Sequence, residues 1–97
     1  MNENRAKSIK IKSCFAISGQ NSEDLVLPEK VKTVRDLLAF IGEKIDYSFL
    51  DPQNDGIEDD LEIILNQKEI WFYSEALKTE LRDGDMVEIY LLPLGGG

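Results

Sequence analysis

Leu81-Arg-Asp-Gly-Asp-Met-Val-Glu-Ile-Tyr-Leu-Leu-Pro-Leu-Gly-Gly-Gly97 joins a tight turn, a strand and a run of bare glycines. Arg82-Asp-Gly-Asp85 is the turn, and Gly84 is the residue able to supply the positive φ such turns often require. Met86 to about Leu92 reads as a strand, with Val87, Ile89 and Leu91 on one side and Glu88, Tyr90 and Leu92 on the other. The first set suits a buried core. The second leaves Tyr90 and Leu92, with Leu94 beyond, as apolar side chains on an open face, and exposed apolar surface on an acidic chain marks a contact surface. Gly95-Gly96-Gly97 carries no Cβ, so it makes a thin peptide that can thread a narrow channel and present the Gly97 carboxylate. The plainer expectation is a frayed end, and residues 93–97 are expected to be flexible on either reading.

Upstream, Ile9 to Ile17 alternates: Ile9, Ile11, Phe15 and Ile17 fall on one face, Lys10, Lys12, Cys14 and Ala16 on the other. That pattern is a half-buried strand. Ser18 to Ser22 is a turn cluster, and Leu25-Val-Leu27 is a second strand stopped by Pro28. Thr33 with Asp36 resembles a capping box, opening a helix from Val34 to about Ile45 whose stripe is Val34, Leu37, Leu38, Ile41 and Ile45. Gly42 weakens the second half of that helix. Asp46 to Asp60 is an acidic connection with Tyr47, Phe49 and Leu50 as anchors. Leu61 to Leu65 is a strand, Asn66 to Glu69 a turn, Ile70 to Tyr73 a short extended aromatic piece, and Leu77 to Leu81 a packed loop. Two strands, one helix and further strands predict an α+β fold: a mixed sheet with the helix across one face. One helical stripe covers one face only, so the other stays open or meets a partner.

Ninety-seven residues fit one domain, 1–97, with residues 1–8 expected to be disordered. A formal net charge of −8 argues against nucleic acid and against an anionic membrane surface, and favours a basic protein partner. No segment approaches the roughly 20 apolar residues that span a bilayer, and the polar start lacks a signal-peptide core, so a cytoplasmic protein is expected. The chain has no histidine and one cysteine, Cys14. That removes the commonest general base, the usual zinc ligand and any intramolecular disulfide. No Walker-type or Gly-x-Gly-x-x-Gly run offers a nucleotide site. Asp51 to Glu62 approaches the EF-hand pattern through Asp51, Asp55, Gly56 and Glu62, but Gln53 breaks it and Leu61 to Leu65 is not the helix that must follow; a solvated acidic loop is expected. Cys14 has no second thiol and no histidine to activate it, and reads as a small sheet residue.

Asn66-Gln67, the Leu81 to Asp85 turn, the strand to Leu92, the nearby Pro93 and the glycine run together resemble the MoaD/ThiS family of small ubiquitin-like sulfur carriers, the MoaD branch more than ThiS. The likeness is best over Leu61 to Gly97. It implies a β-grasp fold and no autonomous active site. It implies that an E1-like adenylating enzyme binds the open face and activates the carboxylate of Gly97, using ATP and magnesium that this chain does not itself bind. Gly96 would match the family's penultimate glycine, Gly95 would lie in the threaded tail, and Tyr90 would stand where the family carries a partner-contacting aromatic. A sulfur donor would then form a thiocarboxylate, and the large subunit of molybdopterin synthase, or an equivalent acceptor, would take the sulfur for molybdenum or tungsten cofactor synthesis. The same activation could serve thiamine synthesis, tRNA thiolation or conjugation to lysines; an inert β-grasp interaction module is the alternative of a different class. The sequence departs from the family in a tail one residue longer, with a third glycine, and in a long acidic connection before Leu61.

Overall fold

The computed structural model describes residues 7–13, 22–51, 56–57 and 61–91. Five strands form one mixed sheet: β1 (Lys7–Ser13), β2 (Ser22–Leu27), β5 (Leu61–Leu65), β6 (Lys68–Glu69) and β7 (Met86–Leu91). Their order is β2-β1-β7-β5-β6. β1 and β7 lie side by side and parallel, with Ile11 beside Val87 and Ser13 beside Ile89, while the other pairings are antiparallel. A small separate hairpin, β3 (Leu50–Asp51) with β4 (Gly56–Ile57), occupies part of the segment read as an irregular connection.

The alternation in each strand sends one set of side chains to the core: Ile9 and Ile11, Leu25 and Leu27, Leu61, Ile63 and Leu65, Val87 and Ile89. The helix α1 (Val34–Ile45) supplies Val34, Leu37, Leu38 and Ile41 to the same core. Its capping box is present: Thr33 Oγ1 accepts from the Asp36 N–H at 3.1 Å, and Asp36 Oδ2 accepts from the Thr33 N–H at 3.1 Å. Burial works to raise the Asp36 carboxyl, but hydrogen bonds from the Lys32 and Thr33 N–H groups hold it below its ordinary 3.8. The helix runs on through Gly42 to Ile45, and the glycine has a packing reason. A Cβ there would sit 2.5 Å from the Tyr47 carbonyl oxygen, and the Tyr47 N–H donates to the Gly42 carbonyl at 2.9 Å, so glycine lets the exit chain fold back against the last turn. Asp46 closes the helix in the left-handed conformation at φ 56°. Phe49 then plugs the core, edge-on to Tyr47 at 4.9 Å between ring centres.

Three expectations need correction. Of the stretch 1–8 expected to lack order, residues 1–6 lie outside the described residues, while Lys7 and Ser8 already belong to β1: the Ser8 N–H donates to Asp83 Oδ1 and the Ser8 carbonyl accepts from Gly84 N–H, both at 2.8 Å. The turn after β5 is only Asn66-Gln67, both at positive φ (51° and 70°), so Lys68 and Glu69 already pair as β6. Ile70 to Tyr73 is not extended. Ile70–Phe72 is a 3-10 turn, tied down by buried Ile70 and by Tyr73 Oη donating to the Leu65 carbonyl at 2.6 Å. Ala76–Lys78 is a second such turn, which delivers Leu77 to the core.

Candidate functional site: the open sheet face

The face opposite α1 is set by parity and register. Met86, Glu88 and Tyr90 on β7 stand across from Lys10, Lys12 and the β5 residues Ile64 and Glu62: Lys10 beside Met86, Lys12 beside Glu88, Ile64 beside Glu88, and Glu62 beside Tyr90. On the far side of β5, Glu69 stands beside Ile64. Tyr90 therefore lies on the open face, as its position in the strand predicts, and it is half-buried. Its hydroxyl donates to Glu88 Oε1. Val87 and Ile89 are fully buried on the other side, so the strand has one core face and one outer face.

The described part of that face is less apolar than the sequence reading anticipates. Ile64, Met86 and Tyr90 form its half-buried centre, with Glu62, Glu69 and Glu88 around Ile64. Glu62 and Glu69 stand close enough that a hydrogen bond to Glu69, partial burial, and the negative charges of Glu69 and Glu88 push the Glu62 carboxyl above its ordinary 4.5. The parity of Leu61 to Leu65 would have placed Glu62 and Ile64 outward. Glu69 carried no such signal, since its strand is two residues long. Trp71 (54% exposed) and Phe72 (71%) follow buried Ile70 in the 3-10 turn after β6 and present bare aromatic surface; alternation says nothing of them because the chain leaves the strand there.

Leu92, Leu94, Gly95, Gly96 and Gly97 lie outside the described residues, as do Cys14 and most of the Asp51–Glu62 loop. The last position of that calcium-like pattern, Glu62, belongs to β5 and faces Glu69. Among the described residues no three Asp, Glu, His or Cys side chains are grouped to hold a metal ion. No described helix is long and apolar enough to cross a membrane.

The sequence motifs behind the family resemblance prove to be a clasp. Asp85 accepts from the Arg82 N–H at 2.8 Å and from Asn66 Nδ2 at 3.0 Å, and its carbonyl accepts from the Lys10 N–H at 2.8 Å. Asn66 Oδ1 accepts from the Met86 N–H at 3.0 Å, and the Asn66 N–H donates to the Met86 carbonyl at 2.8 Å. Gly84, at φ +92°, gives the turn its shape. These residues tie β1, β5 and β7 together at the end of the sheet away from Leu91. Their role here is architectural.

Neither the family models nor the curated proteins include a match to this sequence. Solved structures do match. The fold is the ubiquitin-like β-grasp. The solution structure of the Haloferax volcanii protein HVO 2177 superposes with a TM-score of 0.74 at 17% identity, covering 99% of this chain and 92% of that one. The small archaeal modifier protein 1 of Methanosarcina acetivorans gives 0.68 at 22% identity over 96% and 99%. A Pyrococcus furiosus protein provisionally described as subunit 1 of a molybdopterin converting factor gives 0.61 at 24% over 90% and 99%. At these identities the likeness establishes the fold.

Proposed function

We propose that this β-grasp protein is a ubiquitin-like sulfur carrier whose Gly97 carboxylate is the working group. The observation that carries the proposal is that β7, central in the sheet and flanked by an open face, is the strand directly followed in the sequence by Leu92, Pro93, Leu94 and Gly95-Gly96-Gly97. A carboxylate with an ordinary pKa of about 3.3–3.7 is ionised at neutral pH and resists attack. An E1-like enzyme supplying ATP and magnesium joins that carboxylate to AMP with release of pyrophosphate. A sulfide-level sulfur then attacks the acyl carbon, AMP leaves, and a thiocarboxylate remains on Gly97. Gly96 and Gly95 let the tail enter a narrow active site, while Tyr90, Leu92 and Leu94 meet the partner. The sulfur goes to an acceptor that builds a molybdopterin-type cofactor, a destination supported by the family resemblance and by the Pyrococcus furiosus neighbour. The chain itself acts as a carrier, one domain over 1–97, in the cytoplasm.

A second reading shares the first step. The neighbour from Methanosarcina acetivorans is named a modifier, and a target lysine could attack the same adenylate to leave an isopeptide. Intact-mass analysis after expression with the E1-like enzyme of the same organism separates the two. A gain of about 16 Da for oxygen replaced by sulfur, abolished by deleting Gly97, is the expected result. Isopeptide-linked products would favour the modifier, and a terminus unaltered by ATP and enzyme would remove both readings.

A further inference from the structure

Among the described residues no element packs over the open face, and its charge is unevenly spread. Ile64 has Glu69 on one side, Glu88 on the other, and Glu62 two residues along the same strand. The three carboxylates are diagonal neighbours, and their mutual repulsion when ionised gives the fold no support. No lysine is the direct cross-strand partner of Glu62 or Glu69. Lys68, on the same short strand as Glu69, lays its Nζ 4.6 Å from the centre of the Tyr73 ring, and Lys12 stands directly beside Glu88 at one margin of the group, away from Glu62 and Glu69. The carboxylates thus surround an apolar floor, with Trp71 and Phe72 exposed two and three residues past Glu69.

A planar guanidinium suits such a surface better than an ammonium does. It can lie flat on an apolar or aromatic group while its edge donates to more than one carboxylate. We propose that the protein partner docking on this face presents arginine, with a guanidinium seated over Ile64 among Glu62, Glu69 and Glu88, and that Trp71 and Phe72 extend the same footprint. The partner's identity as the activating enzyme rests on the carrier reading; the chemistry of the footprint does not.

ATP–pyrophosphate exchange by the E1-like enzyme, with the full chain as substrate, tests this. The variant Glu62→Gln/Glu69→Gln/Glu88→Gln is compared with Glu29→Gln/Glu43→Gln/Glu75→Gln, which removes the same charge from exposed positions on other elements. The face variant is expected to raise KM about tenfold or more with kcat unchanged, and to lose most of the salt dependence of KM; the control should change KM less than twofold. Amide spectra of the face variant should match the wild type; if they do not, Glu69→Gln alone takes its place, with KM expected to rise severalfold and an unchanged KM counting against the proposal. Equal effects of the two triple variants would mean that net charge alone steers association, and no effect of either would mean that the carboxylates are idle. Both results overturn the proposal while leaving the carrier reading intact. If the wild type supports no exchange, the carrier reading falls, and the isotope-labelled chain mixed with the enzyme decides the footprint. Broadening at Glu62, Ile64, Glu69 and Tyr90 that the face variant abolishes sustains it, and its absence ends it.

Discussion

Gly42 shows how much a single position can depend on its surroundings. In an exposed helix a glycine-to-alanine change gains about 1 kcal/mol, because alanine is the better helix former. Here the added Cβ would meet a backbone oxygen at 2.5 Å, and backbone cannot step aside as a flexible side chain can. Gly42→Ala should therefore destabilise the protein by about 1–3 kcal/mol, the range for overpacking. Urea denaturation checks this, and a higher midpoint would show that the close approach of Tyr47 is slack. The sequence marks this glycine only as a weak point in a helix. The reason for it lies five residues on, in a segment whose course local pattern does not determine.

At the scale of elements, the start and the apolar stripe of the helix from Val34 to Ile45 are legible, because cap and stripe are local chemistry, whereas its ending at Asp46 and Tyr47 is not. β1, β5 and β7 are legible as strands, and with β7 the placement of Tyr90. The β3–β4 hairpin and the two 3-10 turns are not, since two- and three-residue pieces leave no period to detect and are fixed by what they pack against. The open face follows the same division. Tyr90 came from parity within one strand, whereas Glu69 reaches that face through pairing with Ile64. The β5–β6 turn offers a direct test. Gln67 holds a φ of 70° between Leu65 and Lys68, a conformation for which glycine carries no penalty. Gln67→Gly should stabilise the hairpin by up to about 1 kcal/mol, read as a higher thermal midpoint with an unchanged amide pattern. A loss of stability would mean that the Gln67 side chain holds something the turn needs.

The molecule as a whole carries a net charge of −8, and its acids do not all pull the same way with pH. Glu62 is held above 4.5, so the folded protein binds its proton more readily than the unfolded chain does. The resulting stabilisation is complete below 4.5 and is lost as pH rises through the raised value. Asp36 is held below 3.8, so its contribution is complete above 3.8 and is lost as pH falls through the lowered value. Stability should thus rise on acidification from pH 7 toward about 4.5 and turn down below the ordinary range of Asp36. Glu62→Gln should flatten the first limb and leave the second. Urea midpoints across the pH range measure both limbs, and an unaltered first limb in the variant would separate Glu62 from the effect.

The strand that leads to the glycines lies between two neighbours, parallel to β1 and antiparallel to β5. Its ladder hydrogen bonds run across the direction in which the tail would be drawn. A pull along the axis of β7 loads the rungs on both of its sides together, in shear, whereas an edge strand pulled sideways would give up its bonds one at a time. The Asp85–Asn66 clasp sits at the end of β7 away from the glycines and fixes the start of the strand to β5. The architecture therefore acts as a mechanical anchor: a machine gripping the glycines can haul them taut without unravelling the body to which they are tied.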